Sequence, residues 1–156
     1  EQMKRELGEE YVVILRTHYF IADFLDLSQY EGFAWNLSKY DDIARLYLIS
    51  DILVTDYSSV FFDYANLRRP MLFFTYDLEK YRSVLRGFYM DVEEELPGPM
   101  LFETGEVIES ICRIDEVKEE YKEKYDRFCK KYCSWEDGHA TEKVVNAVFG
   151  LTGQEK

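Results

Sequence analysis

The chain has 156 residues, the length of one ordinary domain. With 47% hydrophobic and 17% aromatic residues it can bury a sizeable core, which excludes a disordered chain. A net charge of −12 argues against nucleic acid as a partner, because backbone binding rests on clustered Lys and Arg; it still leaves room for one local anion site.

In chain order, residues 1–10 are charged and read as a helix ending near Gly8. Residues 11–15 (Tyr11, Val12, Val13, Ile14, Leu15) form an apolar run without alternation, as expected of a strand covered on both faces. Arg16, Thr17 and His18 follow at its carboxyl end. Residues 19–32 are irregular, with room for one helical turn around Ile21, Phe24 and Leu25. A second, weaker strand is predicted over 33–37. Residues 38–42, including Tyr40, Asp41 and Asp42, read as a loop capping a helix marked by Ile43, Leu46, Tyr47 and Ile49.

The most informative stretch is 49–70. Ile52, Leu53 and Val54 make a short buried strand. Asp56, Tyr57, Ser58 and Ser59 supply a tight turn and an N-cap. Val60, Phe61, Tyr64, Ala65 and Leu67 then recur at helical spacing over 58–67. A helix start just past the carboxyl end of a parallel strand offers free N–H groups and a positive dipole end. Two serine hydroxyls add donors there, which suits a phosphate or diphosphate. From spacing alone, the serines read equally well as simple caps.

Residues 70–74 form a further strand, with Pro70 at its tolerated first position. A short helix is predicted over 77–84. Residues 87–104 read as a long, Gly- and Pro-containing connection of the kind that often carries function. Helices return at 104–112 and at 114–132, where Ile114, Val117, Tyr121, Tyr125, Phe128 and Tyr132 step by three and four. A last helix spans 141–149 and stops at Gly150. Residues 151–156 read as a disordered tail after a domain at 1–150. Alternating strands and helices imply an α/β fold, a parallel sheet sandwiched by helices. Ligands of such folds sit outside the carboxyl ends of the strands, where both Thr17–His18 and Asp56–Ser59 fall.

Arg68, Arg69, Lys80, Arg82 and Arg86 set a basic local field beside the Ser-Ser turn. Cys112, Cys129 and Cys133 are an odd number without framework spacing, which fits a reducing compartment. A zinc site at Cys129, Cys133 and His139 lacks a paired second cluster, so buried thiols are the better reading. No clustered carboxylates stand out, and no bound metal or other cofactor is expected. No stretch reaches the roughly 18 apolar residues of a membrane span. The chain opens on Glu1 and reads as a piece of a longer protein, so its lack of a leader says nothing about the parent.

Several motifs, in order, resemble one family. They are Leu15-Arg16-Thr17-His18, the stretch SDILVTDYSSVFFDYANLRRP, the FFTYDLEKY segment with Arg86-Gly87-Phe88-Tyr89, and Leu96-Pro97-Gly98-Pro99. The tail from Trp135 to Val145, with Asp137 and Gly138, is similar as well. The family is that of the CDP-glycerol glycerophosphotransferases, the teichoic acid polymerases and primases. The resemblance implies a Rossmann-like half of a GT-B fold, holding the CDP part of CDP-glycerol, with the second half outside this chain.

By the same resemblance, His18 is placed at the diphosphate or leaving group as the catalytic residue. Thr17, Asp56, Ser58, Ser59 and Arg86 bind the diphosphate, Asp56 chiefly by holding the turn. Tyr40 and Asp41 lie where the base is received. Asp63 reads as a structural hydrogen-bond partner and His139 as a surface residue. The implied partners are CDP-glycerol and a teichoic acid or lipid-linked acceptor. The implied setting is the cytoplasmic face of the cell membrane, reached through the parent protein. Read without the resemblance, His18 is a loop-holding histidine and Arg86 an ion-pair partner of the acidic run 91–95. A CDP-ribitol donor, a non-catalytic nucleotide-binding module and an interaction domain built on the acidic helices stay open as alternatives.

Overall fold

The computed structural model describes residues 1–78 and 90–150. In chain order the helices and strands are α1 (Gln2–Leu7), β1 (Val13–Leu15), α2 (Tyr19–Ala22), β2 (Ala34–Asn36), α3 (Ile43–Ile49), β3 (Leu53–Thr55) and α4 (Val60–Tyr64). Then come β4 (Met71–Phe74), α5 (Val92–Glu95), β5 (Met100–Leu101), α6 (Thr104–Cys112), α7 (Ile114–Tyr132) and α8 (Ala140–Phe149). All strand pairings are parallel. β1 pairs with β2 in the register Ile14↔Trp35, and β4 lies between β3 and β5, with Thr55↔Phe73 and Phe73↔Met100 in register. The strands thus form two paired groups rather than one continuous ladder. Strands of two to four residues leave few ladder bonds with which to join them.

β4 explains why the fold is layered. Its residues are an unbroken apolar run, and Met71, Leu72 and Phe73 are all buried. Successive side chains of a strand point to opposite faces. Met71 and Phe73 therefore enter a core with Phe61, Tyr64 and Ala65 of the α4 region and with Phe128 and Cys129 of α7. Leu72 enters a second core with Leu7 of α1 and Val107, Ile108 and Ile111 of α6. Burying each of these large side chains stabilises the fold by about 1.5–3 kcal/mol. Val13 of β1 and Ala34 of β2 pack on the second core, which ties the shorter strand pair to the same helical layer. This is the expected α/β sandwich: parallel strands between helices.

Four details depart from the sequence reading. Tyr11 and Val12 lie outside β1, whose pairing starts with Val13 N–H donating to the Phe33 carbonyl. The one helical turn allowed around Ile21, Phe24 and Leu25 falls earlier, at α2, and a 3-10 turn follows at Ser28–Tyr30. The helix expected over 58–67 is α4 followed by a 3-10 turn, Ala65–Leu67, which ends at Arg68 in the left-handed region, φ 56°. The long connection after Gly87 is not structureless where described. It holds α5, capped by Asp91, and the edge strand β5. The helix expected over 77–84 and the tail at 151–156 fall wholly or largely outside the described residues.

β5 is positioned by Gly98. A Cβ there would lie 1.9 Å from the Met71 carbonyl oxygen, so only glycine lets the Pro97–Pro99 backbone close on β4. The Phe73 N–H then donates to the Pro99 carbonyl, and the Thr75 N–H to the Leu101 carbonyl. On the other side of α5, Glu95 bonds Lys131 and Tyr132 of α7, and Lys124 donates to the Glu93 carbonyl. Among the described residues, no helix is long and apolar enough to cross a membrane. α8 buries none of its residues and leaves Val144, Val148 and Phe149 exposed.

Candidate diphosphate site

The turn between β3 and α4 is built by Asp56. Its carboxylate accepts the Ser58 backbone N–H at 2.9 Å, an Asx-turn that carries the chain from strand to helix. Ser59 occupies the N-cap position of α4, yet its side chain makes no capping bond. Ser58 and Ser59 are exposed, and no hydrogen bond to either hydroxyl is present among the described residues. Both hydroxyls are thus unspent beside the unpaired N–H groups of a helix start. The sequence points to the serines as side-chain caps; Ser59 holds the N-cap position but its hydroxyl makes no capping bond, and Asp56 shapes the turn before it.

Tyr57, between them, points the other way. Its hydroxyl donates to the Asp77 carboxylate, 2.9 Å away in the loop that follows β4. Burial, helped by that bond, raises the phenol above its ordinary range.

At the end of β1, His18 is the N-cap of α2. Its Nδ1 accepts the Phe20 N–H in a long bond of 3.5 Å. Nε2 is the ring's second hydrogen-bonding nitrogen. Thr17 is held at both its backbone and its side chain. Its N–H donates to the Ser38 hydroxyl at 2.9 Å, and its own hydroxyl lies 3.0 Å from the same oxygen. The Ser38 N–H donates to the Asn36 side chain, and Asn36 donates to the Ala22 carbonyl. This chain of bonds clamps the ends of β1 and β2 together and fixes the loop that carries His18. Sequence reasoning passed over Asn36 and Ser38; a polar pair closing a strand was the signal available.

Arg16 reaches across the same gap and donates to the Tyr40 carbonyl at 2.6 Å. Tyr40 and Asp41 are exposed, while Asp42 caps α3 by accepting from Ala44 and Arg45. Asp63 differs from its expected structural role. Its carboxylate is exposed in the first turn of α4, with no hydrogen bond to it among the described residues. The phenol of Tyr47 of α3 is raised first by burial and then by the charge of Asp63, and lowered by that of Arg16. Its hydroxyl is buried and without a hydrogen-bond partner among the described residues. Arg86 lies outside the described residues.

Two clefts lie elsewhere. One of about 180 Å³ opens between Arg68–Met71, Gly98 and the Tyr121–Tyr125 face of α7. Another of about 220 Å³ lies between α6 and α7. Neither includes His18, Ser58 or Ser59, all three of which are exposed. Two of the three thiols are structural, and Cys112 is exposed. Burial raises Cys129 and Cys133, the latter to about 11, and their sulfurs face the Ala65 and Phe62 carbonyls. His139 is exposed and pairs with Glu142. Among the described residues, no three His, Cys, Asp or Glu side chains form a metal-binding group.

Residues 1–150 match the family model of CDP-Glycerol:Poly(glycerophosphate) glycerophosphotransferase. The chain belongs to this family. It is 53% identical over 148 residues to the teichoic acid poly(glycerol phosphate) polymerase of Bacillus subtilis, a match covering 95% of the chain and 20% of that protein. It is 45% identical to the teichoic acid glycerol-phosphate transferase of Staphylococcus aureus, across 96% of the chain and 38% of the relative. A ribitol polymerase, the teichoic acid poly(ribitol-phosphate) polymerase of Bacillus spizizenii, is 37% identical. Among solved structures, a histidine variant of the wall teichoic acid polymerase TagF soaked with CDPG superposes with a TM-score of 0.87 at 46% identity. That match covers 96% of this chain and 37% of TagF, a GT-B type enzyme. The chain thus spans about a fifth to two fifths of the length of these relatives.

Proposed function

We propose that residues 1–150 form the nucleotide-binding domain of a CDP-glycerol glycerophosphotransferase, supplying the CDP-binding half of its cleft. The observation that carries this reading is the Asp56-held turn. It leaves two serine hydroxyls unspent at a helix start, in a chain whose whole domain matches the family. An acceptor hydroxyl attacks the β-phosphate of CDP-glycerol. The new O–P bond forms as the bond to CMP breaks, and the hydroxyl proton passes to a base outside this chain. Such chemistry depends on positioning and charge stabilisation at the diphosphate. The α4 start with Ser58 and Ser59, the Nε2–H of His18 and the guanidinium of Arg86 supply donors for the charge that develops on the leaving CMP. Thr17 holds the His18 loop, and Tyr40 and Asp41 flank the base.

The acceptor is a teichoic acid chain or a lipid-linked primer, and the parent protein works at the cytoplasmic face of the membrane. The higher identity to the poly(glycerol phosphate) polymerase of Bacillus subtilis, 53%, than to the poly(ribitol-phosphate) polymerase, 37%, supports glycerol as the polyol. The test is an assay of the protein at its full natural length with a lipid-linked primer. CMP release and chain extension with CDP-glycerol, and little with CDP-ribitol, are expected; extension from CDP-ribitol alone would reassign the donor.

A further inference from the structure

We infer that the Tyr57–Asp77 hydrogen bond is a positioning element of the diphosphate site, bracing the serine turn against the loop that follows β4. The inference rests on the functional reading above. The Asx-turn bond from Ser58 to Asp56 is internal to the turn. It shapes the turn but does not set its tilt against the sheet. The Tyr57 hydroxyl reaches out of the turn and across to the neighbouring strand's loop.

The platform it reaches is fixed. Thr75 is 1% exposed and donates its N–H to the Leu101 carbonyl, and the Leu78 N–H closes back on the Thr75 carbonyl. Leu78 is itself buried in the core on which the Tyr57 ring packs. Asp77 is held between these two anchors. The phenol ring already satisfies packing, so its hydroxyl adds the bond to Asp77. A carboxylate near a diphosphate opposes binding by simple repulsion. Keeping Asp77 there is consistent with a geometric task. Donors that stabilise a developing phosphate charge must be held to within about 0.5 Å by such supporting contacts. Neither Tyr57 nor Asp77 needs to touch the substrate for this.

The test uses the protein at its full natural length and compares Tyr57→Phe, Asp77→Ala, Asp77→Asn and the double variant Tyr57→Phe/Asp77→Ala. Turnover of CDP-glycerol and inhibition by CDP and by cytidine are measured. Tyr57→Phe and Asp77→Ala should each lower kcat/KM about tenfold, the scale of one lost hydrogen bond. The double variant should be no worse than either single, since both remove the same bond. Asp77→Asn keeps an acceptor for the phenol and should restore most of the activity. Inhibition by CDP should weaken while that by cytidine, which has no phosphate, holds. Unchanged kinetics in Tyr57→Phe and Asp77→Ala would overturn the inference. So would equal weakening of CDP and cytidine, because a general loosening predicts that. If the unaltered protein fails to bind CDP at all, the functional reading falls and takes the inference with it; that outcome is distinct because it appears before any substitution.

Discussion

The Asp56 carboxylate closes the turn before α4 by accepting the Ser58 backbone N–H at 2.9 Å, while the Ser59 side chain at the N-cap makes no capping bond. Asp56→Ala should cost about 1 kcal/mol of stability, the scale of one lost hydrogen bond, and weaken CDP binding as the turn relaxes. Asp56→Asn retains the acceptor oxygen and drops a negative charge beside the diphosphate. It should bind CDP at least as well as the unaltered protein. Thermal melts and calorimetry of the two variants check this pair of outcomes.

Gly98 lies against the Met71 carbonyl of β4 with no room for a side chain. In Gly98→Ala the new methyl would meet the Met71 carbonyl oxygen at 1.9 Å, so β5 must shift away from β4. A loss of about 2 kcal/mol or more is expected, at the upper end of overpacking. Urea unfolding measures it, and a loss below the error of that measurement would show that the Pro97–Pro99 segment yields without cost.

Glu95 gives the fold a pH dependence at its acid limit. The Lys131 bond, and after it the Tyr132 bond, hold its carboxyl down from an ordinary 4.5 to about 2. A depressed carboxyl adds stability that is complete above its unfolded value and is lost as pH falls. The contribution should therefore fade between pH 4.5 and 2. Glu95→Gln should be less stable than the unaltered protein at neutral pH, and the gap should close across that window.

The parts of this fold that were legible are those whose signal is local. The β3–turn–α4 unit showed because an apolar run, an Asp-x-Ser turn and a helical period follow one another directly. α7 showed because its apolar residues hold their spacing over the whole helix. β5 did not show, since Met100 and Leu101 are a strand only through β4; two residues carry no period of their own. The Thr17–Ser38–Asn36 clamp was hidden for a similar reason: its members lie far apart in sequence and meet only once β1 and β2 pair. At Asp63 the sequence suggested a hydrogen-bonded helix residue, whereas the first-turn geometry turns its carboxylate outward. The Tyr57–Asp77 bond likewise depends on two loops that only the parallel register brings side by side.

His18 caps α2 through Nδ1, and two substitutions separate that role from the proposed contact of its Nε2 with the ligand. Asn is a good cap but lacks the second ring nitrogen. His18→Ala and His18→Asn should both lower turnover by about 10²-fold or more, the scale of a positioned catalytic group. Near-normal turnover in a folded His18→Asn protein would reduce the residue to its capping role.

The central claim is that the serine turn receives the diphosphate of a cytidine nucleotide. The most direct measurement is calorimetric titration with CDP, cytidine, UDP and ADP, comparing the unaltered protein with Ser58→Ala/Ser59→Ala. Selective binding of CDP is predicted, with the double variant weakening CDP about tenfold or more, for lost charge-assisted bonds, and leaving cytidine unaffected. Equal affinity for all the nucleotides, or a folded double variant that binds CDP as tightly as the unaltered protein, would contradict it.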